Sequence, residues 1–174
     1  EIVNVLLVQG NFGRPGAGAC PVRGHSNVQG DRTMGIWEKP QPDFLDRLDA
    51  EFGIVSPREH GYDSTDTLTA FEGGDVDVFV SMCGNFAKAC SDTDVLERGM
   101  QQTGLTVHVS TKPNRSHVVH GQTSLILPTL GRTDRDDRHP SGAQFVSVED
   151  SMSVIRSSRG RLEPVSDQLL SEPQ

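Results

Sequence analysis

Arg23 and His25 stand two residues apart in a glycine-bounded stretch, Pro21-Val22-Arg23-Gly24-His25-Ser26. A guanidinium placed there can grip a carboxylate or other oxyanion with a two-pronged hydrogen bond. An imidazole beside it can move a proton near neutral pH. The same two side chains could equally be loop groups satisfied by neighbouring carbonyls. A second set lies further along. Gly84-Asn85-Phe86 follows an apolar run, and backbone amides at such a turn can hold a phosphate. Ser110-Thr111-Lys112-Pro113-Asn114-Arg115 follows another apolar run and offers hydroxyls, amides and cations. Two strand ends equipped in this way favour an anionic, nucleotide-like ligand.

Other chemistry is less well supported. Cys83 and Cys90 are too widely spaced for a metal-binding pair and read as packed free thiols. His117 and His120 would share a helical face, but without carboxylate or cysteine company they read as capping or surface groups. The Asp134–Asp137 run lacks the calcium-loop spacing and its glycine, and reads as a solvated loop. Gly-x-Ser-x-Gly, the strained turn of a nucleophilic serine, is absent. No metal ligand is assigned.

The elements that must position these groups follow from periodicity and punctuation. Residues 2–8 are apolar, a buried strand or the last turns of a buried helix. Residues 10–42 are rich in Gly and Pro with little apolar periodicity, which predicts a long loop without helix or strand. Phe44, Leu45, Leu48 and Phe52 have helical spacing, closed by Gly53. Asp63-Ser64-Thr65 caps a second helix ending at Gly73-Gly74, and Asp92 to Gln102 forms a third. Strands are expected at 76–81, 105–110 and 124–127, with shorter β-like runs at 144–148 and 153–155 and a helical 165–170. This alternation predicts an α/β fold: a three-layer αβα, Rossmann-like, mainly parallel sheet with a long Gly-rich N-terminal loop. The expected organisation is one α/β domain over 1–174. Residues 1–42 carry the end of a helix or strand and the loop, 43–148 the ligand-binding part, and 149–174 an extension.

Composition sets the outer bounds. The 174 residues carry 16 Lys and Arg against 24 Asp and Glu, a net charge of −8, which disfavours nucleic acid as a partner. No apolar run reaches a membrane span, and no charged-then-apolar leader opens the chain. Three cysteines point to a reducing compartment, the cytoplasm. The opening Glu1, with no Met, reads as the start of an excerpt from a longer chain.

Beyond these readings, Gly10-Asn11-Phe12-Gly13-Arg14-Pro15-Gly16-Ala17-Gly18, then Pro21 to Gly30, then Met34-Gly35, resembles the central segment of molybdopterin-dependent oxidoreductases. The match is to the dimethyl-sulfoxide-reductase superfamily, nearest its formate dehydrogenase alpha-subunit branch. Gly84-Asn85-Phe86, Thr111-Lys112 and Leu125-Ile126-Leu127-Pro128 follow in family order. The resemblance implies an internal fragment of the catalytic subunit and a bis(molybdopterin guanine dinucleotide) cofactor carrying molybdenum or tungsten. It implies Arg23 and His25 near that metal as the catalytic, substrate-orienting pair, with His25 standing where formate dehydrogenases commonly have Gln. Gly84, Asn85, Phe86, Thr111, Lys112 and Asn114 would bind one guanine dinucleotide. The metal-ligating residue would lie upstream, and a [4Fe-4S] cluster would belong to the full-length protein outside these residues. Implied partners are a small oxyanion substrate, the remaining domains of the polypeptide and an electron-transfer partner. The isolated fragment is expected to be inactive. The rival reading is a non-catalytic α/β module binding a nucleotide or a protein.

Overall fold

A computed structural model of the chain describes residues 1–174 apart from Val22, Arg23, Gly24, Ser26, Ser151, Ser153 and Pro173. Three helices precede the sheet: α1 (Ile2–Val8), α2 (Val28–Thr33) and α3 (Pro42–Phe52). Then α4 (Ser64–Gly73) leads into β1 (Val78–Met82), α5 (Phe86–Ala89), α6 (Thr93–Gln102) and β2 (Leu105–Ser110). The short α7 (Arg115–Val118) connects to β3 (Thr123–Pro128), and β4 (Val146–Glu149) with β5 (Ile155–Ser158) closes the element order.

β1, β2 and β3 form a parallel three-stranded sheet in that spatial order, and β4 and β5 pair as a separate antiparallel ribbon. Helix starts and stops follow the residues expected of them. Asp63 accepts from the amides of Thr65 and Asp66, while Asp66 reaches back to the Asp63 amide, a complete capping box for α4. Gly53 and Gly74 close α3 and α4 in the left-handed conformation, which glycine adopts without a Cβ penalty.

The core lies on one face of the sheet. Phe71 of α4, Ala87 of α5, Leu96 and Met100 of α6 and Val119 are buried together, with Phe79 of β1 and Phe86 packed against them. The Phe71 and Phe79 rings meet edge to face at 5.4 Å, and Phe79 and Phe86 lie 5.3 Å apart. α6 packs tightly on α4 because position 99 has no side chain. A Cβ on Gly99 would stand 2.5 Å from the Phe71 Cβ and 2.6 Å from its carbonyl oxygen.

Four sequence expectations need correction. Residues 2–8 are helical, and the segment is not buried: Ile2 and Val8 are 82% and 89% exposed. The 10–42 stretch is not all loop, since α2 forms within it. Tertiary contacts override its weak propensity: Thr33 Oγ1 donates to Glu149 and Gln29 to the Asp150 carbonyl, docking α2 on β4. Residues 165–170 are not helical. The Leu170 carbonyl accepts from the Leu130 amide and from Thr129 Oγ1, which holds that segment along the end of β3 instead. His120 lies beyond the end of α7, so it does not share a helical face with His117.

Candidate functional site

Each parallel strand hands over to the next element at the same edge of the sheet, where ligands of such sheets bind. β1 is followed by Cys83-Gly84, both with positive φ, +54° and +73°. That conformation is ordinary for Gly84 and strained for Cys83. The Cys83 thiol donates to Glu172 Oε1 of the C-terminal segment at 2.6 Å. Burial first, and then the Glu172 bond and charge, push the Cys83 thiol up, against the pull of the Thr111 and Gly84 amides. Cys83 is therefore held as a neutral thiol and not as a nucleophilic thiolate.

The turn after β1 is bracketed by the loop after β2. Asn114 Nδ2 donates to the Gly84 carbonyl at 2.7 Å, while Asn114 Oδ1 accepts from the Ser116 amide. Ser116 Oγ accepts from the Ala87 amide at 3.0 Å and reaches Asn85 Oδ1 at 3.4 Å. His117 Nδ1 accepts from the Asn114 backbone amide at 2.9 Å, which completes a capping box. Its Nε2 is buried without a hydrogen-bond partner among the described residues. The His117 ring lies 4.9 Å from that of His108 of β2, tilted by 41° to it, and the His108 Nε2 is likewise unpartnered among the described residues. Burial, with the neighbouring His117 and His120 second, holds the His108 imidazole below its ordinary range.

Beside this bracket lies an open cleft of about 620 Å³. It gathers His25 and Asn27 from the N-terminal loop, Asp31 of α2, Cys83 and Thr111 from the ends of β1 and β2, and Arg132 beyond β3. Among the described residues Arg132 has no ion-pair partner. Glu172 also lines the cleft, and a neighbouring cleft of about 690 Å³ shares Leu130, Arg132 and Glu172 but is walled mainly by the polar 134–146 segment and the C-terminal residues. The smaller cleft is the candidate site because three parallel strand ends open into it.

Of the sequence-predicted site residues, the structure brings His25 and Thr111 into this one cleft. Gly84, Asn85 and Asn114 belong to the adjoining bracket and do not line the cleft. Phe86 directs its ring into the aromatic core, and Lys112 is exposed outside the cleft lining, its carbonyl accepting from Ser110 Oγ. Arg23 lies outside the described residues. Sequence reasoning missed Arg132, Asp31 and Glu172. Arg132 follows β3 by only a few residues, so its position after a strand end was a usable signal. Asp31 and Glu172 reach the site only through long-range packing of α2 and the C-terminal segment. Among the described residues no cluster of three metal-binding side chains occurs.

The chain is similar to known proteins along its whole length. The chain is 62% identical over all 174 residues to an uncharacterized oxidoreductase of Mycobacterium tuberculosis. It is 48% identical over 172 residues to the protein YdeP of Escherichia coli. In both relatives the matched part is 22% of the length. A putative formate dehydrogenase of Staphylococcus aureus is 35% identical over 83 residues, 43% of this chain and 8% of that protein. The chain thus spans about a fifth of the curated relatives that it matches throughout. No protein-family model matches it. No helix among the described residues is long and apolar enough to cross a membrane.

Proposed function

We propose that this chain is part of a molybdopterin-dependent oxidoreductase of the formate dehydrogenase-like kind, in which it holds one guanine dinucleotide of a bis(molybdopterin guanine dinucleotide) cofactor and orients a small oxyanion substrate. The observation that carries the reading is the meeting of His25, from the glycine-rich segment that resembles this family, with Thr111 and Arg132 at the strand ends of one cleft. The names of the relatives, oxidoreductase and putative formate dehydrogenase, support the same class.

The donor set suits the group. The Arg132 guanidinium and the Thr111 hydroxyl can hold diphosphate or ribose oxygens. Asp31 supplies a carboxylate that can accept the ring N–H donors of a guanine. Glu172 is committed to the Cys83 thiol through one oxygen. The bracket from Asn114 to Gly84 fixes the two strand ends relative to each other, so these groups meet the ligand already positioned. When bound, the cofactor supplies the oxidation–reduction chemistry, and the protein supplies binding and orientation. His25 at the cleft can hold or move a proton, and Arg23 two residues earlier can orient an oxyanion.

In the full-length protein, Arg23→Ala should cut turnover by about 100-fold, the usual effect of removing a donor to a developing oxyanion, with metal content unchanged. Thr111→Val with Arg132→Ala should instead lower the amount of bound nucleotide. Normal turnover in the first variant and full nucleotide in the second would remove the reading.

A further inference from the structure

Asn27 stands at the N-cap of α2, where an asparagine ordinarily turns its side chain back to accept from the amides of the first turn. Asn27 makes no such bond among the described residues. Its Oδ1 accepts instead from the backbone amide of Glu149, 122 residues on, at 2.8 Å. Its Nδ2 donates to Ser147 Oγ at 3.5 Å. Both partners belong to β4, which pairs with β5 along its other edge. An edge strand carries backbone groups that need partners from elsewhere, and Asn27 supplies one.

Gly30 makes room for this reach. A Cβ there would collide with the Asn27 side-chain amide. Gly30 lies buried inside α2, where alanine would be the better helix former by about 1 kcal/mol. The missing side chain therefore serves the contact from Asn27 to β4 and not the helix itself.

The contact sits among groups of the candidate site. His25 comes two residues before Asn27, and Asp31 follows about one turn later. Both line the strand-end cleft, as do Asn27, Gly30 and Ser147. Gln29 and Thr33 hold the rest of α2 on the ribbon, and Asn27 fastens the end next to His25.

We propose that Asn27 is a positioning residue of the strand-end cleft: it latches the start of α2 to β4, and through that latch the β4–β5 ribbon sets where His25 and Asp31 stand. What those two groups then do rests on the proposed function; the latch does not.

Amide hydrogen exchange of the full-length protein, read by mass spectrometry over residues 27–34 and 145–150, tests the latch. Asn27→Ala should speed exchange in both segments by about 3–10-fold, the worth of one hydrogen bond. Asn27→Asp keeps the accepting oxygen and should retain most of the protection. Gly30→Ala should match Asn27→Ala because its methyl displaces the Asn27 side chain, and the double variant should be no worse than either alone. Helix propensity by itself gives the opposite for Gly30→Ala, slower exchange. With formate as the probe substrate, turnover per bound metal should fall about 10–100-fold in Asn27→Ala at unchanged metal content, and recover in Asn27→Asp. Unchanged exchange in Asn27→Ala, or slower exchange in Gly30→Ala, overturns the latch. Faster exchange with unchanged turnover per metal overturns the positioning role, as does an Asn27→Asp protein no better than Asn27→Ala. The exchange comparison needs neither formate nor the cofactor, so its failure is distinct from a failure of the proposed function.

Discussion

Asn114 donates its side-chain amide to the Gly84 carbonyl while its carbonyl oxygen caps α7, so one residue ties the turn after β1 to the loop after β2. The two strand ends that carry the candidate site are thereby fixed to each other and not merely adjacent. Asn114→Ala should lower stability by about 1–3 kcal/mol, the sum of a lost helix cap and a lost hydrogen bond. Asn114→Asp keeps the capping oxygen but sets a carboxylate against the Gly84 carbonyl. It should recover the cap and still fail to restore the bracket. Chemical denaturation of the three proteins ranks them, and equal midpoints would show that the bracket contributes nothing.

The close approach of α4 and α6 sets a second test. Gly99→Ala places a methyl within 2.6 Å of the Phe71 backbone, where neither helix can yield without disturbing the aromatic cluster. Overpacking of this kind costs about 1–3 kcal/mol. A lower thermal midpoint is expected, although alanine is the better helix former. An unchanged or higher midpoint would mean that the two helices can separate freely.

His108, packed beside His117, predicts how stability depends on pH. Burial depresses the His108 imidazole in the folded protein, so the unfolded chain binds a proton that the folded one refuses. Stability is therefore flat above the unfolded value of about 6.5 and falls as pH drops below it. The carboxylates held low by their bonds, Asp63 and Asp150 among them, lose their contribution only at more acid pH, from the ordinary carboxylate range down through their own lowered values. His108→Gln should flatten the profile between pH 5 and 6.5 in denaturant titrations. An unchanged slope there would show that His108 is not the titrating group.

Much of this arrangement is legible in the sequence where local chemistry decides it. Asp63, Gly53 and Gly74 act as the helix signals they resemble, and the alternation at 105–110 places β2 at its observed bounds. The strand ends at Gly84 and Thr111 follow directly. What is not legible depends on distant contacts. α2 forms in a glycine-rich stretch because β4 receives it, and the 165–170 segment is drawn along the end of β3 instead of coiling. Cys83 carries no sequence sign that it would adopt a left-handed backbone and meet Glu172, 89 residues away. The three-layer expectation foresees the parallel sheet, but right-handed connection places every described crossover on one side.

The central claim is that the strand-end cleft serves a pterin dinucleotide cofactor. Its most direct test is elemental analysis of the purified full-length protein, combined with assay of released pterin and guanine nucleotide, after production in cells that assemble such cofactors. The account predicts molybdenum or tungsten with two guanine nucleotides for each metal, and a loss of nucleotide in the Thr111→Val, Arg132→Ala double variant. Full-length protein that is folded yet holds neither metal nor pterin would contradict it.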